Sequence, residues 1–285
     1  MAQQVTTSLK AVGRTDVGCV RTLNEDSYWV DEPAGLFLVA DGMGGHDAGE
    51  IASSQVIESM ARLLQHPVAR IVAGHDGRDA SDEDGEITTL SPEEVAEELA
   101  NEVAQQDRDA VRMVVRAIAE TNQRINAANQ ERGYPEGSGM GSTLVGFWAP
   151  PGSQRGVVFH VGDSRLYLMR HGKLKCITQD HTLYQQWLDF GAKGPPPAQN
   201  VILQAMGPVE QVAPDVRILG LLPGDLILMC SDGLSGMLAD DSIEKTLLDA
   251  REENLQEICN RLVDMAKGKG GRDNITVILV RATGA

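Results

Sequence analysis

Aspartate residues stand at the ends of several short apolar runs, and their oxygen atoms are the groups best suited to chemistry in this sequence. The four aspartates and their neighbouring runs are Asp41 after 36–40, Asp163 after 157–161, Asp232 after 226–230 and Asp273 before 275–280. A carboxylate beside a buried segment is costly unless it is paired or bound to a metal. Asp-Gly and Gly-Asp pairs also form turns, which is the simpler explanation for any one of them. The four together predict carboxylates that meet at one point.

Oxygen atoms of carboxylates and carbonyls are the ligands that hard cations such as Mg²⁺ and Mn²⁺ prefer. Gly42 follows Asp41, and its backbone carbonyl can approach a metal because no side chain stands in the way. Two ions about 3.5–4 Å apart can share an aspartate and activate a water for attack on phosphorus. Arg21 is then the candidate for binding phosphate oxygens, since a planar guanidinium binds phosphate bidentately. Glu25 adds a further acid, although Arg21 and Glu25 alone would more simply be surface and turn residues.

The composition is that of a globular protein without a nucleic-acid or membrane partner. The 285 residues fit one large domain or two small ones, with 42% hydrophobic residues to fill a core. A net charge of −16 repels phosphate backbones, and no Lys/Arg run supplies a basic patch. The N-terminal sequence shows no apolar signal core, and no run reaches the ~20 apolar residues of a membrane span.

The cysteines indicate a reducing compartment. None of them forms a CxxC pair, which disfavours both a zinc site and a disulfide framework. We therefore predict a cytoplasmic protein. We also predict a monomer, because no exposed apolar stripe is recognisable in the sequence. The cysteines are Cys19, Cys176, Cys230 and Cys259.

Short apolar runs and helical periodicity predict a mixed fold. The predicted strands, each bounded by Gly, Pro, Asp or Asn, are 36–40, 144–148, 157–161, 226–230 and 275–280. Residues 165–170 and 174–177 predict a hairpin around His171-Gly172-Lys173. Helix faces are predicted for Ala52, Val56, Met60, Leu63 and Leu64, for Val111, Val114, Val115, Ile118 and Ile125, and for Leu255, Ile258, Leu262 and Met265. Because strands and helices do not alternate strictly, the class is α+β.

Two further local patterns are recognisable between the predicted helices. Ser91-Pro92-Glu93 is typical of a helix start, with a cap, a proline and an acid in the first turn. Residues 74–85, with the sequence GHDGRDASDEDG, predict an acidic surface loop within an insertion of about 74–90. This loop is either a tolerated insertion or a regulatory or partner-binding segment.

Seven motifs in order resemble the metal-dependent protein phosphatases of the protein phosphatase 2C type, in their bacterial form. Arg21 with Asn24-Glu25-Asp26 opens the series, which spans about residues 10–281. The other motifs are VADGMGGH (39–46), GMGSTL (139–144), HVGDSRLY (160–167), ITQDHT (177–182), LLPGDLILMCSDGLS (221–235) and DNITVILV (273–280). Each motif alone is unspecific, but the ordered set is highly specific. The resemblance implies a single catalytic domain over residues 1–285.

The resemblance implies both the architecture and the chemistry. The architecture is a four-layer α-β-β-α sandwich, with two antiparallel sheets face to face and helices on both outer faces. The chemistry is hydrolysis of phosphoserine and phosphothreonine in proteins by two or three Mn²⁺ or Mg²⁺ ions per chain. Arg21 orients the phosphate. The resemblance implies that Asp41 bridges both metals and that Gly42 contributes its carbonyl. It further implies Asp232 and Asp273 as ligands of the first metal, Glu25 for the second, partly through water, and Asp163 with Asp232 for a third.

The sequence departs from the family pattern at the proposed general acid and in the flap over the site. Some family members have a histidine directly after the Asp-Gly pair, whereas Met43 stands there in this chain. His46, three residues later, is therefore the candidate acid, with a loop histidine as the alternative. The flap, about 182–207, ends in QAMG instead of the frequent Arg-Ala-Leu-Gly stretch. No covalent phosphoenzyme is expected.

Three functions are compatible with the acidic set. The predicted one is an active serine/threonine phosphatase whose partners are phosphorylated proteins, the substrates of a serine/threonine kinase. A second is a catalytically inactive signalling module, which normally comes with lost metal ligands, and none is lost here. A third is another two-metal phosphoesterase acting on nucleotides or nucleic acid, which the charge of −16 and the motif order oppose.

Overall fold

Two antiparallel β-sheets packed face to face form the centre of the protein. A computed structural model of the chain describes residues 7–44, 48–65 and 92–284, with side chains from 104 onward in the last range. The strands in these residues are β1 (Thr7–Asp16), β2 (Asp26–Asp31), β3 (Leu36–Met43), β4 (Gly141–Ser142), β5 (Leu144–Trp148), β6 (Arg155–Val161), β7 (Arg165–Arg170), β8 (Lys173–Cys176), β9 (Asp215–Gly220), β10 (Leu226–Cys230) and β11 (Ile275–Gly284). One sheet has the order β1-β11-β10-β7-β8, and the other has the order β2-β3-β5-β6-β9 with β4 paired to β3.

Helices cover the outer face of each sheet. The helices in the described residues are α1 (Ala48–Gln65), α2 (Pro92–Glu131), α3 (Leu183–Asp189), α4 (Asp232–Ser235), α5 (Asp240–Leu247) and α6 (Leu255–Gly268), with a 3₁₀ turn at Glu252–Asn254. Helices α1 and α2 pack on the sheet that contains β3, and helices α4 to α6 pack on the sheet that contains β10. The predicted four-layer α-β-β-α sandwich is therefore confirmed. No helix in the part of the chain described here has both the length and the apolar character needed to cross a bilayer.

The central strands are apolar on both faces because each face packs against another layer. On β3, Leu36 and Leu38 point to the helices, whereas Phe37 and Val39 point to the opposite sheet. This burial of both faces explains why the strands are recognisable as continuous apolar runs. Strand β3 continues to Met43, beyond the predicted run, so it carries the Asp41-Gly42 pair to the edge of the core.

Within the described residues, the local predictions agree with the structure except at one helical position. Strands β7 and β8 are joined by His171 and Gly172, whose φ angles of 51° and 76° are those of a tight hairpin turn. Helix α2 begins at Pro92, as the start pattern predicts. Val115, however, is 41% exposed, because it lies about 100° around the helix from the buried Val114. The acidic loop 74–85 lies outside the described residues.

Candidate metal centre

Asp41 stands where β3 leaves the core, and its backbone is held by Thr143, which lies between β4 and β5. Its N–H donates to Oγ1 of Thr143 at 3.0 Å, and its carbonyl accepts from the N–H of Thr143 at 2.8 Å. Asp41 lies directly opposite Asp26 in the register of β2 and β3. These contacts direct the Asp41 side chain at the carboxylates of other elements.

Asp232 reaches the same point from the second sheet. It is the first residue of α4, directly after Ser231 at the end of β10. Its carboxyl group lies beside that of Asp41, and its charge raises the pKa of Asp41. Two carboxyl groups in contact require a shared proton or a cation between them. Burial, and then the charge of Asp273, raise the pKa of Asp232.

Asn274 joins the β2 side of the centre to the β11 side. Its Oδ1 accepts from the N–H of Glu25 at 2.8 Å, and its Nδ2 donates to the carbonyls of Val17 and Leu23 at 3.1 and 2.9 Å. The adjacent Asp273 accepts from Nη2 of Arg21 at 2.7 Å. One Asp-Asn pair before β11 therefore positions both Glu25 and Arg21.

The carboxylate of Glu25 occupies space that only glycine leaves free. The Cα of Gly49, on α1, lies so close to Oε1 of Glu25 that an added Cβ would overlap with it. A Cβ on Gly42 would likewise overlap with the backbone carbonyl of Gly49. The N–H of Gly42 donates to the Glu25 carbonyl at 3.1 Å, which ties β3 to the start of β2. The approach of α1 to β3 therefore depends on two glycines.

Asp163 lies in the turn between β6 and β7, close enough to Asp41 for its charge to act there. Burial, and then the charges of Asp232 and Asp180, raise the pKa of Asp163 to about 7. Asp180 is paired with Arg165, with Nη2 to Oδ2 at 2.7 Å. Asp163 is therefore close enough to Asp232 for the two carboxylates to repel each other.

The carboxyl groups at this centre are buried together, which is unfavourable without a cation. Burial, and then repulsion by Asp26, Asp232 and Asp163, raise the pKa of Asp41 well above its usual range. Asp26 accepts hydrogen bonds through Oδ2 from Ser231 and Thr276, both at 2.7 Å, whereas its buried Oδ1 has no partner. Burial raises the pKa of Asp26 to about 7. An all-oxygen donor set with an unpaired buried oxygen fits hard divalent cations.

The comparisons with known proteins agree with this geometry. A family model for Protein phosphatase 2C matches residues 20–274. The chain belongs to the protein phosphatase 2C family. This membership and the fold agree with the expectations drawn from the seven motifs.

Relatives within the protein phosphatase 2C family include proteins from two bacterial genera. Serine/threonine protein phosphatase PstP of Mycobacterium tuberculosis is 34% identical over 97% of this chain and 45% of that protein. Serine/threonine phosphatase stp of Listeria welshimeri is 33% identical over 94% of this chain and 93% of that protein. The chain thus spans less than half the length of the mycobacterial relative.

A solved structure similar to this protein phosphatase 2C chain contains metal. It is the catalytic domain of serine threonine protein phosphatase PstP in complex with 2 manganese ions. The two structures superpose with a TM-score of 0.73 at 32% sequence identity, over 98% of this chain and 100% of the other.

The structure brings most of the predicted site residues of this protein phosphatase 2C chain together. The residues that converge are Arg21, Glu25, Asp41, Gly42, Asp163, Asp232 and Asp273. His46 lies outside the described residues, so its role as an acid stays a prediction.

Three positioning residues of the centre have no role in the sequence analysis. Asp26 and Asn274 stand inside quoted motifs, next to Glu25 and Asp273, and their adjacency to those acids is the signal that could have identified them. Gly49 carries no such signal, because only the approach of α1 to the Glu25 carboxylate reveals its importance.

Proposed function

We propose that this chain hydrolyses phosphoserine and phosphothreonine in proteins and so opposes a serine/threonine protein kinase. The observation that carries the proposal is the convergence of buried carboxylates beside the half-exposed Arg21. Membership in the protein phosphatase 2C family and the serine/threonine phosphatases of Mycobacterium tuberculosis and Listeria support it.

The donor set suits Mn²⁺ or Mg²⁺ as the cofactor, with two or three ions per chain. Asp41 and the Gly42 carbonyl would hold the ions, and Glu25 would be a further ligand. Bound there, the ions supply Lewis-acid activation of water and of the phosphate. The first-metal pair would be Asp232 and Asp273, and the third-metal pair would be Asp163 and Asp232.

The residues of the chain itself position the substrate and the proton. Arg21 presents its guanidinium at the rim, where Asp273 orients it through Nη2 at 2.7 Å. A guanidinium held in this way binds the phosphate dianion and keeps its phosphorus in line with the centre. His46 is the proposed donor of the proton to the leaving seryl or threonyl oxygen. Asp26, through Ser231 and Thr276, holds β10 and β11 against β2.

The proposal includes the setting of the enzyme. We assign residues 1–285 to one catalytic domain with a flap at about 182–207, acting as a monomer in the cytoplasm. The four cysteines are free, which supports a reducing compartment. The net charge of −16 supports proteins, and not nucleic acid, as the phosphorylated partners.

Release of phosphate from a phosphopeptide tests the proposal. We expect Mn²⁺-dependent turnover that EDTA abolishes, because the chain's carboxylates must bind ions to act. Asp232→Asn should lower kcat/KM by at least about a hundredfold. Losing a group that only supports a metal ligand costs less than this, and Asp232 is proposed as a ligand itself. The exposed Asp249→Asn, with the same charge change, should retain full activity.

Two results would contradict this function. Tight Mn²⁺ binding without turnover would indicate a signalling module. Faster hydrolysis of a phosphodiester than of the phosphopeptide would indicate a nucleotide or nucleic-acid substrate. Turnover that persists in EDTA would contradict the metal assignment itself.

A further inference from the structure

His160, His181 and Asp215 form a second group of metal-ligating side chains, at the base of the flap. Asp215 stands directly opposite His160 in the register of β9 and β6, and His181 follows β8 at the start of the flap. One ligand atom from each side chain lies within 4.8 Å of the other two. The imidazole rings stack with centroids 4.6 Å apart and planes inclined by 25°. Both histidines belong to the motifs HVGDSRLY and ITQDHT, yet neither has a role at the carboxylate centre.

His160 is oriented as a metal-ligating histidine. Its Nε2 lies 2.8 Å from the backbone carbonyl of Gln179, which only accepts hydrogen bonds. The proton is therefore on Nε2, and the lone pair is on Nδ1. Donation of one ring N–H to a carbonyl is the usual second contact of a histidine whose other nitrogen binds a metal. Burial also lowers the pKa of His160, which favours the neutral form that a ligand needs.

His181 and Asp215 complete the set at the solvent side. Nε2 of His181 lies 4.0 Å from Oδ2 of Asp215, whose side chain is 45% exposed. Burial, and then the neighbouring His160, lower the pKa of His181, so this ring is also neutral near pH 7. Nδ1 of His181 accepts from the N–H of Gly162 at 3.2 Å. The neutral ring therefore carries its proton on Nε2. Coordination through Nε2 requires that this proton move to Nδ1, so the hydrogen bond from Gly162 is lost.

We propose that His160, His181 and Asp215 bind one transition-metal ion of the Zn²⁺ class, at a site separate from the carboxylate centre. Two imidazoles and one carboxylate suit Zn²⁺, Co²⁺ or Ni²⁺, whereas Mg²⁺ prefers oxygen alone. Three protein ligands leave a fourth position for water. Bonds of about 2.0–2.2 Å place ligand atoms closer together than 4.8 Å, so the half-exposed Asp215 side chain moves inward on binding.

One neighbouring cation competes with the ion for Asp215. Nη2 of Arg217 lies 3.9 Å from Oδ2 of Asp215, and its side chain is half-exposed. Arg217→Gln removes this positive charge without deleting a ligand. The variant should therefore bind the ion more tightly, which a purely structural role of the three side chains does not predict.

Metal titration of the whole chain in excess Mg²⁺, which occupies the oxygen centre, tests the site. Co²⁺ and Zn²⁺ are added, with binding measured by calorimetry and by the visible absorption of nitrogen-bound Co²⁺. We expect one ion to bind per chain. Asp215→Asn should weaken its affinity at least about tenfold, because the loss of even an outer-shell partner has an effect of this size. His181→Gln should do the same, Arg217→Gln should strengthen binding, and the exposed control Asp249→Asn should change nothing.

The backbone amide of Gly162 gives an independent readout. Its NMR resonance should shift on Zn²⁺ addition in the wild-type chain, because His181 then stops accepting its hydrogen bond. The same resonance should stay in place in Asp215→Asn, a half-exposed substitution whose folding is checked by circular dichroism. Unchanged affinity in Asp215→Asn and His181→Gln, or loss of the ion in Asp41→Asn, would overturn the proposal.

Discussion

Nη2 of Arg21 donates to Oδ2 of Asp273 at 2.7 Å, so the proposed phosphate-binding cation and a proposed metal ligand share one ion pair. The pair connects the loop between β1 and β2 to the residue pair before β11. Arg21 is 48% exposed on its side chain, which leaves the guanidinium accessible to a phosphate. Because Asp273 already orients the guanidinium, Arg21 needs little rearrangement to bind the phosphate of the substrate.

Arg21→Lys should weaken substrate binding because it keeps the charge and loses the planar, bidentate contact. A charge-assisted hydrogen bond contributes about 1.5–3 kcal/mol, so kcat/KM should fall about 10–100-fold, mainly through KM. Steady-state kinetics on a phosphopeptide measure the change. Arg124→Lys, which alters a surface pair with Glu120 on α2, is the matched control. An unchanged kcat/KM in Arg21→Lys would refute the phosphate contact.

The metal-free protein should lose stability as the pH rises from about 4 to about 7, because Asp163 keeps its proton only in the folded state. Its folded pKa is about 7 and its ordinary value is 3.8, so the folded state binds more protons over this interval. Asp163→Asn should therefore stabilise the chain in EDTA at pH 8 by about 2–4 kcal/mol. Urea unfolding at pH 5 and pH 8 measures the difference.

The comparison with Asp163→Asn isolates this carboxyl group from the buried histidines. The lowered pKa values of His160 and His181 act with the opposite sign, since the unfolded state binds more protons in acid. These histidines are present in both proteins, so their contribution cancels. Asp249→Asn serves as the exposed control. A variant that is less stable than the wild-type chain at pH 8 would disprove the proposed repulsion.

Gly49→Ala should displace the carboxylate of Glu25, because the new Cβ overlaps with Oε1. The Mn²⁺ concentration for half-maximal activity should rise about tenfold or more, as it does when a metal-positioning group is lost. Gly220→Ala places its methyl group in open space and should leave the Mn²⁺ requirement unchanged. Equal Mn²⁺ curves for both variants would show that Glu25 does not depend on Gly49.

Asn274→Ala should destabilise the protein by about 2–3 kcal/mol, since it leaves the Glu25 N–H and two backbone carbonyls without their partner. Asn274 is 3% exposed, and its side chain makes three hydrogen bonds, to Glu25, Val17 and Leu23. Urea unfolding in EDTA separates this effect from metal binding. The control is Asn260→Ala on α6, a half-buried side chain that accepts one hydrogen bond, from Gln256 on the same helix. Equal stability of the two variants would show that the side-chain hydrogen bonds of Asn274 do not stabilise the fold.

The fold was predictable because its central strands are buried on both faces and are therefore continuous apolar runs. The aspartates at the ends of β3 and β10 were recognisable for the same reason, as charges adjoining such runs. The hairpin of His171 and Gly172 was predictable from local turn chemistry alone. Val115 was mispredicted because its spacing is compatible with the buried face, and only the packing of α2 shows which side is outward.

The sequence by itself determined the family, the layers and the acids that end the strands, because apolar periodicity and motif order are local in the chain. Only the tertiary structure decided how those acids are held. The hydrogen bond between Glu25 and Asn274 joins residues 249 positions apart in the chain, and no local sequence pattern indicates a contact over such a separation. The clearance at Gly49 and the meeting of His160, His181 and Asp215 likewise depend on how separate elements pack. The chemical groups of each residue follow from the sequence, whereas the packing of the elements decides which residues become its neighbours.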